Sequence, residues 1–252
     1  MLRLLRLTFA STFAALALMG CGDELTTESD GAPLGPTTPQ GPQAVPPNTP
    51  PAAAAGIDQT VECATHSGSR VNLTSTGSSD SDGQIVLFEW FENGQLIATG
   101  PAPGVTLALG VHSIILRVRD DDGGTNDDLV VVRVEDTRAP TLAMSVTPTQ
   151  LWPPNHTMHL VARDVAATDA CDPKPSLVVS VTSDEPVNGL GDGDTAPDWS
   201  VEQDGAGLVD VWVRSERSGL GDGRVYSLSA LATDGSGNST SSAGAVRVPH
   251  NQ

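Results

Sequence analysis

From Ile57 to the C-terminus, apolar and polar residues alternate in short runs, and no apolar stripe of 3.6-residue period reaches helical length. The runs are Arg70–Leu73, Ile85–Glu92, His112–Val118, Leu129–Val134, Met158–Arg163, Leu177–Thr182, Leu208–Arg214, Arg224–Ala230 and Ala243–Val248. A period of two puts successive side chains on opposite faces, so each run predicts a strand with one buried face. Val130, Val132 and Val134 against Arg133 and Glu135 show the pattern, as do Leu177, Val179 and Val181 against Ser180 and Thr182. Such strands pack sheet on sheet. Asn93-Gly94 between Phe91 and Leu96 predicts a tight hairpin turn, because both residues tolerate the positive φ it needs. The 196 residues from Ile57 onward are about twice a sandwich of roughly 100. Asp136-Thr137-Arg138-Ala139-Pro140 interrupts them near the middle, which predicts an all-β chain of two tandem antiparallel sandwiches, 57–136 and 137–252.

The N-terminal part reads differently. Arg3 and Arg6 precede an apolar run from Leu7 to Met19, the charged and apolar regions of a secretory signal and too short to span a bilayer. Leu18-Met19-Gly20-Cys21 resembles the lipobox of bacterial lipoproteins, which implies cleavage after residue 20 and acylation of Cys21. Several acyl chains at about 0.8 kcal/mol per buried CH₂ would hold the chain on a membrane without a spanning helix. The alternative is plain secretion with Cys21 free. Residues 21–56 carry 8 prolines between Gly22 and Gly56 and almost no large aliphatics, so they are expected to form a disordered tether. Extended proline-rich chain at about 3.1 Å per residue would reach roughly 100 Å.

Charge narrows the partners. Lys+Arg number 13 and Asp+Glu 31, a net charge of −18, and loss of residues 1–20 would leave −20. So acidic a surface repels phosphate backbones, which excludes a nucleic-acid partner. Asp supplies 22 of the 31 acids and Gly 26 positions, a composition of turns rather than helices.

The first domain carries Ser79-Asp80-Ser81-Asp82-Gly83, Glu89-Trp90, Leu109-Gly110-Val111-His112 and Val118-Arg119-Asp120. With these it resembles the polycystic-kidney-disease (PKD) type of Ig-like repeat. The second carries Leu151-Trp152-Pro153-Pro154-Asn155-His156, Arg214-Ser215-Glu216-Arg217-Ser218-Gly219, Gly223-Arg224-Val225-Tyr226 and Val248-Pro249-His250. It resembles an Ig-like module repeated in surface proteins of myxobacteria and planctomycetes.

Strand parity predicts which loops share a pole, because alternate loops of an antiparallel sandwich fall together. In the first domain Asp80 and Asp82 are expected beside Asp120, Asp121, Asp122, Asp127 and Asp128. Crowded carboxylates raise one another's pKa unless a cation neutralises them, and an all-oxygen set points to calcium. The PKD resemblance implies the same, since such repeats in some secreted enzymes bind calcium. Solvated turn aspartates are the alternative. The twelfth position counted from Asp80 is Phe91, which excludes an EF-hand. In the second domain Trp152–His156, Val187–Asp198 and Gly219–Gly223 are expected at the pole away from the first domain. There Asp192, Asp194, Asp198 and Asp222, within and beside two Gly-Leu-Gly-Asp-Gly repeats, could face one another as calcium ligands or serve as plain turn residues. Trp152 and His156 are candidate ligand-facing residues, Trp152 either packed by its prolines or offering a stacking face. Cys63 and Cys171 fall at the junction pole and either pair there or stay separate thiols.

Enzyme readings are weak. His156 and His159 would diverge on a strand, no His-Glu-x-x-His helix exists, and Asp234-Gly235-Ser236-Gly237-Asn238 is not a nucleophile elbow. The expected function is a non-catalytic surface lipoprotein that presents tandem Ig-like domains for adhesion or for binding an extracellular protein or polysaccharide, with calcium as its one candidate cofactor. An envelope spacer without a ligand and a β-sandwich enzyme are the alternatives. Gly22 after the lipidated cysteine leans toward the outer membrane, by sorting behaviour familiar from enteric bacteria.

Overall fold

A computed structural model describes residues 45–187, 196–219 and 221–251, and Pro47 onward forms one compact unit. The lipobox with Cys21, and Asp192 and Asp194 within and just after the first glycine repeat, lie outside the described residues. The described chain is all β, and among the described residues no helix is long and apolar enough to cross a membrane.

The first sandwich contains β1 (Gln59–Glu62), β2 (Ser69–Asn72), β3 (Ile85–Glu92), β4 (Gln95–Thr99), β5 (Gly104–Leu107), β6 (Gly110–Asp120) and β7 (Thr125–Glu135). One sheet has the order β1-β7-β6-β3-β4, and the β2-β5 pair covers its inner face. Alternation decides the core: Trp90, Ile114, Leu116, Val118, Val130 and Val132 are fully buried and meet Val71 and Leu107 from the smaller sheet. Trp90 Nε1 donates to the Gly100 carbonyl at 2.9 Å, so its one polar atom is satisfied on burial. Asn93 and Gly94 adopt φ of 49° and 77° in the β3–β4 turn. The pairing departs from the expected antiparallel scheme at one ladder, β1 running parallel to β7.

The second sandwich contains β8 (Thr141–Ala143), β9 (Met158–Thr168), β10 (Ser176–Ser183), β11 (Trp199–Gln203), β12 (Val209–Arg214), β13 (Gly223–Thr233) and β14 (Ser239–Pro249). Its sheets are β11-β12-β9-β8 and β10-β13-β14. Val161, Val165, Val211, Val213, Tyr226, Leu228 and Val246 fill the space between them.

The tether ends sooner than composition implies. Ala52 bridges Ser79, the Ala55 amide donates to Asp128 at 2.7 Å, and Ala55 is only 1% exposed. Small residues let this segment lie flat on the first sandwich, a role that a count of large aliphatics does not register.

Candidate functional site in the loops of the second sandwich

The pole of the second sandwich away from the first collects the loop before β9, the ends of the loop between β10 and β11, the loop between β12 and β13, and the C-terminal residues. A buried ionic cluster ties them together. Arg224, on the inward side of β13 in phase with Tyr226 and Leu228, has no exposure. Its Nη1 donates to Asp198 Oδ2 at 2.7 Å and Glu216 Oε1 at 3.3 Å. Its Nε donates to Glu185 at 3.1 Å and its Nη2 to the Pro186 carbonyl at 3.2 Å. Tyr226 Oη accepts from Arg224 and donates to the Arg214 carbonyl at 2.9 Å. Arg214 in turn donates to the carbonyls of Pro197 at 2.9 Å and His156 at 2.7 Å. A buried donor or acceptor without a partner costs about 1–3 kcal/mol, so each of these bonds fixes a loop position.

Two carboxyls therefore meet at one guanidinium nitrogen. Asp198 and Glu216 are 1% and 0% exposed, and Asp198 Oδ1 is buried without a hydrogen-bond partner among the described residues. Burial pushes the Glu216 carboxyl up, His156 opposes the shift, and the Asp198 carboxyl reinforces it. Arg214 and Arg224 face Asp198, Glu185 and Glu216, and Arg224 reaches all three carboxylates. Burial also pushes the Tyr226 hydroxyl up to about 12. The cluster is a clamp for loops, and among the described residues its centre at Arg224, Asp198 and Glu216 is closed to solvent.

Its rim is open. Trp152 is 43% exposed, while the Ser215 hydroxyl donates to the Pro153 carbonyl at 2.9 Å and fixes the loop from below. His156, at φ 59°, places Nδ1 3.2 Å from Glu216 and leaves its ring 46% exposed. At the same pole a cleft of about 590 Å³, which neither Trp152 nor His156 lines, is formed by Gln150, Asp222, Arg247, Pro249 and His250. The rim thus combines an indole face with amide, carboxylate, guanidinium and imidazole groups, a set that can stack on and hydrogen-bond a polar ligand. Asp198 corrects the expected carboxylate ring: it points inward to Arg224, while Asp222 stays at the exposed rim.

In the first sandwich the expected gathering of carboxylates is also revised. Asp127 and Asp128 are neighbours on a strand and point to opposite faces. Asp127 pairs with Arg117 at 2.7 Å on the outer face, and the Arg117 hydrogen bond holds it below the usual carboxylate range. Asp120 is buried and accepts from the Asn48 side chain at 3.0 Å and the Gly124 amide at 2.7 Å. The Asn48 bond, with the amides of Gly124, Gly123 and Asp122, holds its pKa down. Asp82 accepts from the Thr49 amide at 2.9 Å and Asp121 from the Gln84 amide at 2.9 Å. Asp122 contributes its backbone amide, 3.0 Å from Asp120, to this turn. Asp80 and Asp121 both crowd Gly83, where a Cβ would collide with their carboxylates, and Asp80 Oδ2 is buried without a partner among the described residues.

At the junction Cys63 and Cys171 form a disulfide across 108 residues, with Cα atoms 5.7 Å apart. Asp136, Asp169 and Asp234 each bring a carboxylate oxygen within 4.8 Å of the others. Burial alone would raise Asp234, but the Asn238 side chain and the amides of Asn238, Ser236 and Gly237 hold it below its ordinary value. The junction acids and the buried cluster were both missed from sequence. Arg224 carried the available signal: a charged residue in the inward phase of an apolar strand requires a buried partner.

No family model and no curated relative matches the sequence. Among solved structures, the chain is similar to the PKD1 domain of the Vibrio cholerae metalloprotease PrtV, at 34% identity over 35% of this chain and 100% of that one, with a TM-score of 0.29. The PKD1 domain of Vibrio anguillarum Epp gives 27% identity over 36% and 99%, with a TM-score of 0.29. The fibronectin(III)-like modules of Clostridium thermocellum CbhA give 24% identity over 35% and 99%, with a TM-score of 0.29. The chain is an all-β protein of tandem β-sandwiches.

Proposed function

We propose that this chain is a non-catalytic, lipid-anchored surface protein whose paired sandwiches present the loop pole around Trp152 for adhesion to an extracellular polysaccharide or protein. One observation carries the reading: an exposed indole stands on a loop whose base is clamped by buried ions, so a rigid scaffold holds out a stacking face. The lipobox at Cys21 and the proline-rich tether would set that pole away from an outer membrane, and the disulfide would keep the two sandwiches in one relation. A structural calcium ion at Asp80 and Asp121 is a companion proposal, supported by the unpartnered buried oxygen of Asp80. Adhesion of cells displaying the full chain to immobilised polysaccharide and protein matrices tests the main reading. Trp152→Ala is expected to abolish adhesion with surface display unchanged. Equal adhesion by the variant would refute the role of this pole, and no adhesion by wild type would leave the spacer reading in its place.

A further inference from the structure

The outer face of the β1-β7-β6-β3-β4 sheet carries an apolar row that the fold does not use. Register places Leu96, Phe91, Ile115 and Leu129 side by side across β4, β3, β6 and β7. Leu96 is 52% exposed, Ile115 41% and Leu129 53%, and the Arg117 guanidinium lies 5.6 Å from the Phe91 ring centre. The adjoining row holds Thr99, Glu89, Arg117 and Asp127 in the same strand order.

We infer that this face docks a second copy of the chain, about a two-fold axis parallel to the strands and lying between β3 and β6. Such an axis exchanges β3 with β6 and β4 with β7 while keeping each row level. Phe91 then meets Ile115 of the other copy, Leu96 meets Leu129, Arg117 meets Glu89 and Asp127 meets Thr99. Every member of both rows gains a complementary partner, and the Arg117–Glu89 pair forms twice, as an isologous contact requires. Sheets packed face to face with nearly aligned strands are an ordinary β arrangement.

Charge selects this occupant. The chain as a whole carries −18, so two copies repel over most of their surface. On this face Arg117, Arg119 and Arg133 stand among Glu89, Asp127 and Glu135, so the repulsion is cancelled locally. A strongly charged partner of either sign would find no complementary field there. The inference is independent of the ligand reading for the second sandwich.

Sedimentation equilibrium of the full chain in density-matched detergent tests it, with Arg117→Glu, Glu89→Arg and an equimolar mixture of the two. The expected result is a reversible monomer–dimer equilibrium, weakened at least about tenfold in each variant because two like-charge contacts replace two ion pairs. Mixing should restore association. In the mixed dimer the carboxylate introduced at position 117 of one variant meets the guanidinium introduced at position 89 of the other, and the native Glu89 and Arg117 meet at the symmetric contact. Unchanged near-UV dichroism establishes that the variants stay folded. A wild-type chain monomeric at all concentrations, a dimer indifferent to both substitutions, or a mixture no tighter than its components would each overturn the inference.

Discussion

Replacing Arg224 by Met tests whether the buried cluster is what holds the loop pole together. The substitution keeps an unbranched chain of similar length and removes the charge. It leaves Asp198 buried without its ion-pair partner and Glu216 with only Arg214 at 3.9 Å and His156 at 3.2 Å, and removes the bonds to Glu185, the Pro186 carbonyl and Tyr226. Removing one partner of a buried ionic group costs about 3–5 kcal/mol. A domain of ~115 residues unfolds with about 2.1 cal/mol/K per residue, so 4 kcal/mol corresponds to a fall of roughly 15 °C in melting temperature. The assay is thermal and urea unfolding of the full chain, followed by tryptophan fluorescence and near-UV dichroism. Adding Asp198→Asn and Glu216→Gln removes the uncompensated charges and should recover most of the loss. A cost below about 1 kcal/mol for Arg224→Met, or a triple variant no more stable than the single one, would refute the reasoning.

Further outcomes follow from other groups. Glu216 has a folded pKa raised above its ordinary 4.5, so its contribution is fully present below that value and is lost as pH rises through the folded pKa. The stability advantage of wild type over Glu216→Gln should therefore be largest in acid and shrink toward neutrality; an advantage that grows with pH would reverse the assignment. Cys63→Ser with Cys171→Ser opens a loop of 108 residues and should lower stability by about 4–5 kcal/mol on the chain-entropy estimate, read in urea at fixed pH. Calcium at 100 times its dissociation constant should stabilise the chain by about 2.7 kcal/mol, whereas matched magnesium should not and Asp80→Asn should abolish the effect. A melting temperature indifferent to calcium and chelator would remove the ion from the account.

The long strands were legible because alternation is a local property. Ile85–Glu92 coincides with β3, and Leu177–Thr182 falls within β10. The short strands β1, β5, β8 and β11 left too few periods to stand out, and the parallel β1–β7 pairing depends on tertiary contact alone. Loop parity located which loops share a pole but not what their side chains do there. Asp127 and Asp128 diverge because they are strand neighbours, and Asp198 turns inward because Arg224 waits 26 residues away. Arg214, Glu216, Arg224 and Tyr226 sit in motifs that resemblance alone had marked. Reading Arg224 by its phase on β13 would have exposed the cluster, whereas nothing local joins Asp136 to Asp169 and Asp234 across two loops.

Binding of the labelled full chain to an array of extracellular polysaccharides and matrix proteins, beside Trp152→Ala and His156→Ala, tests the central claim most directly. The account predicts selective retention by wild type on at least one class of ligand, abolished by Trp152→Ala and weakened by His156→Ala, with melting temperature unchanged for the first. Retention that survives both substitutions, or none on any ligand, would contradict a binding role for this pole.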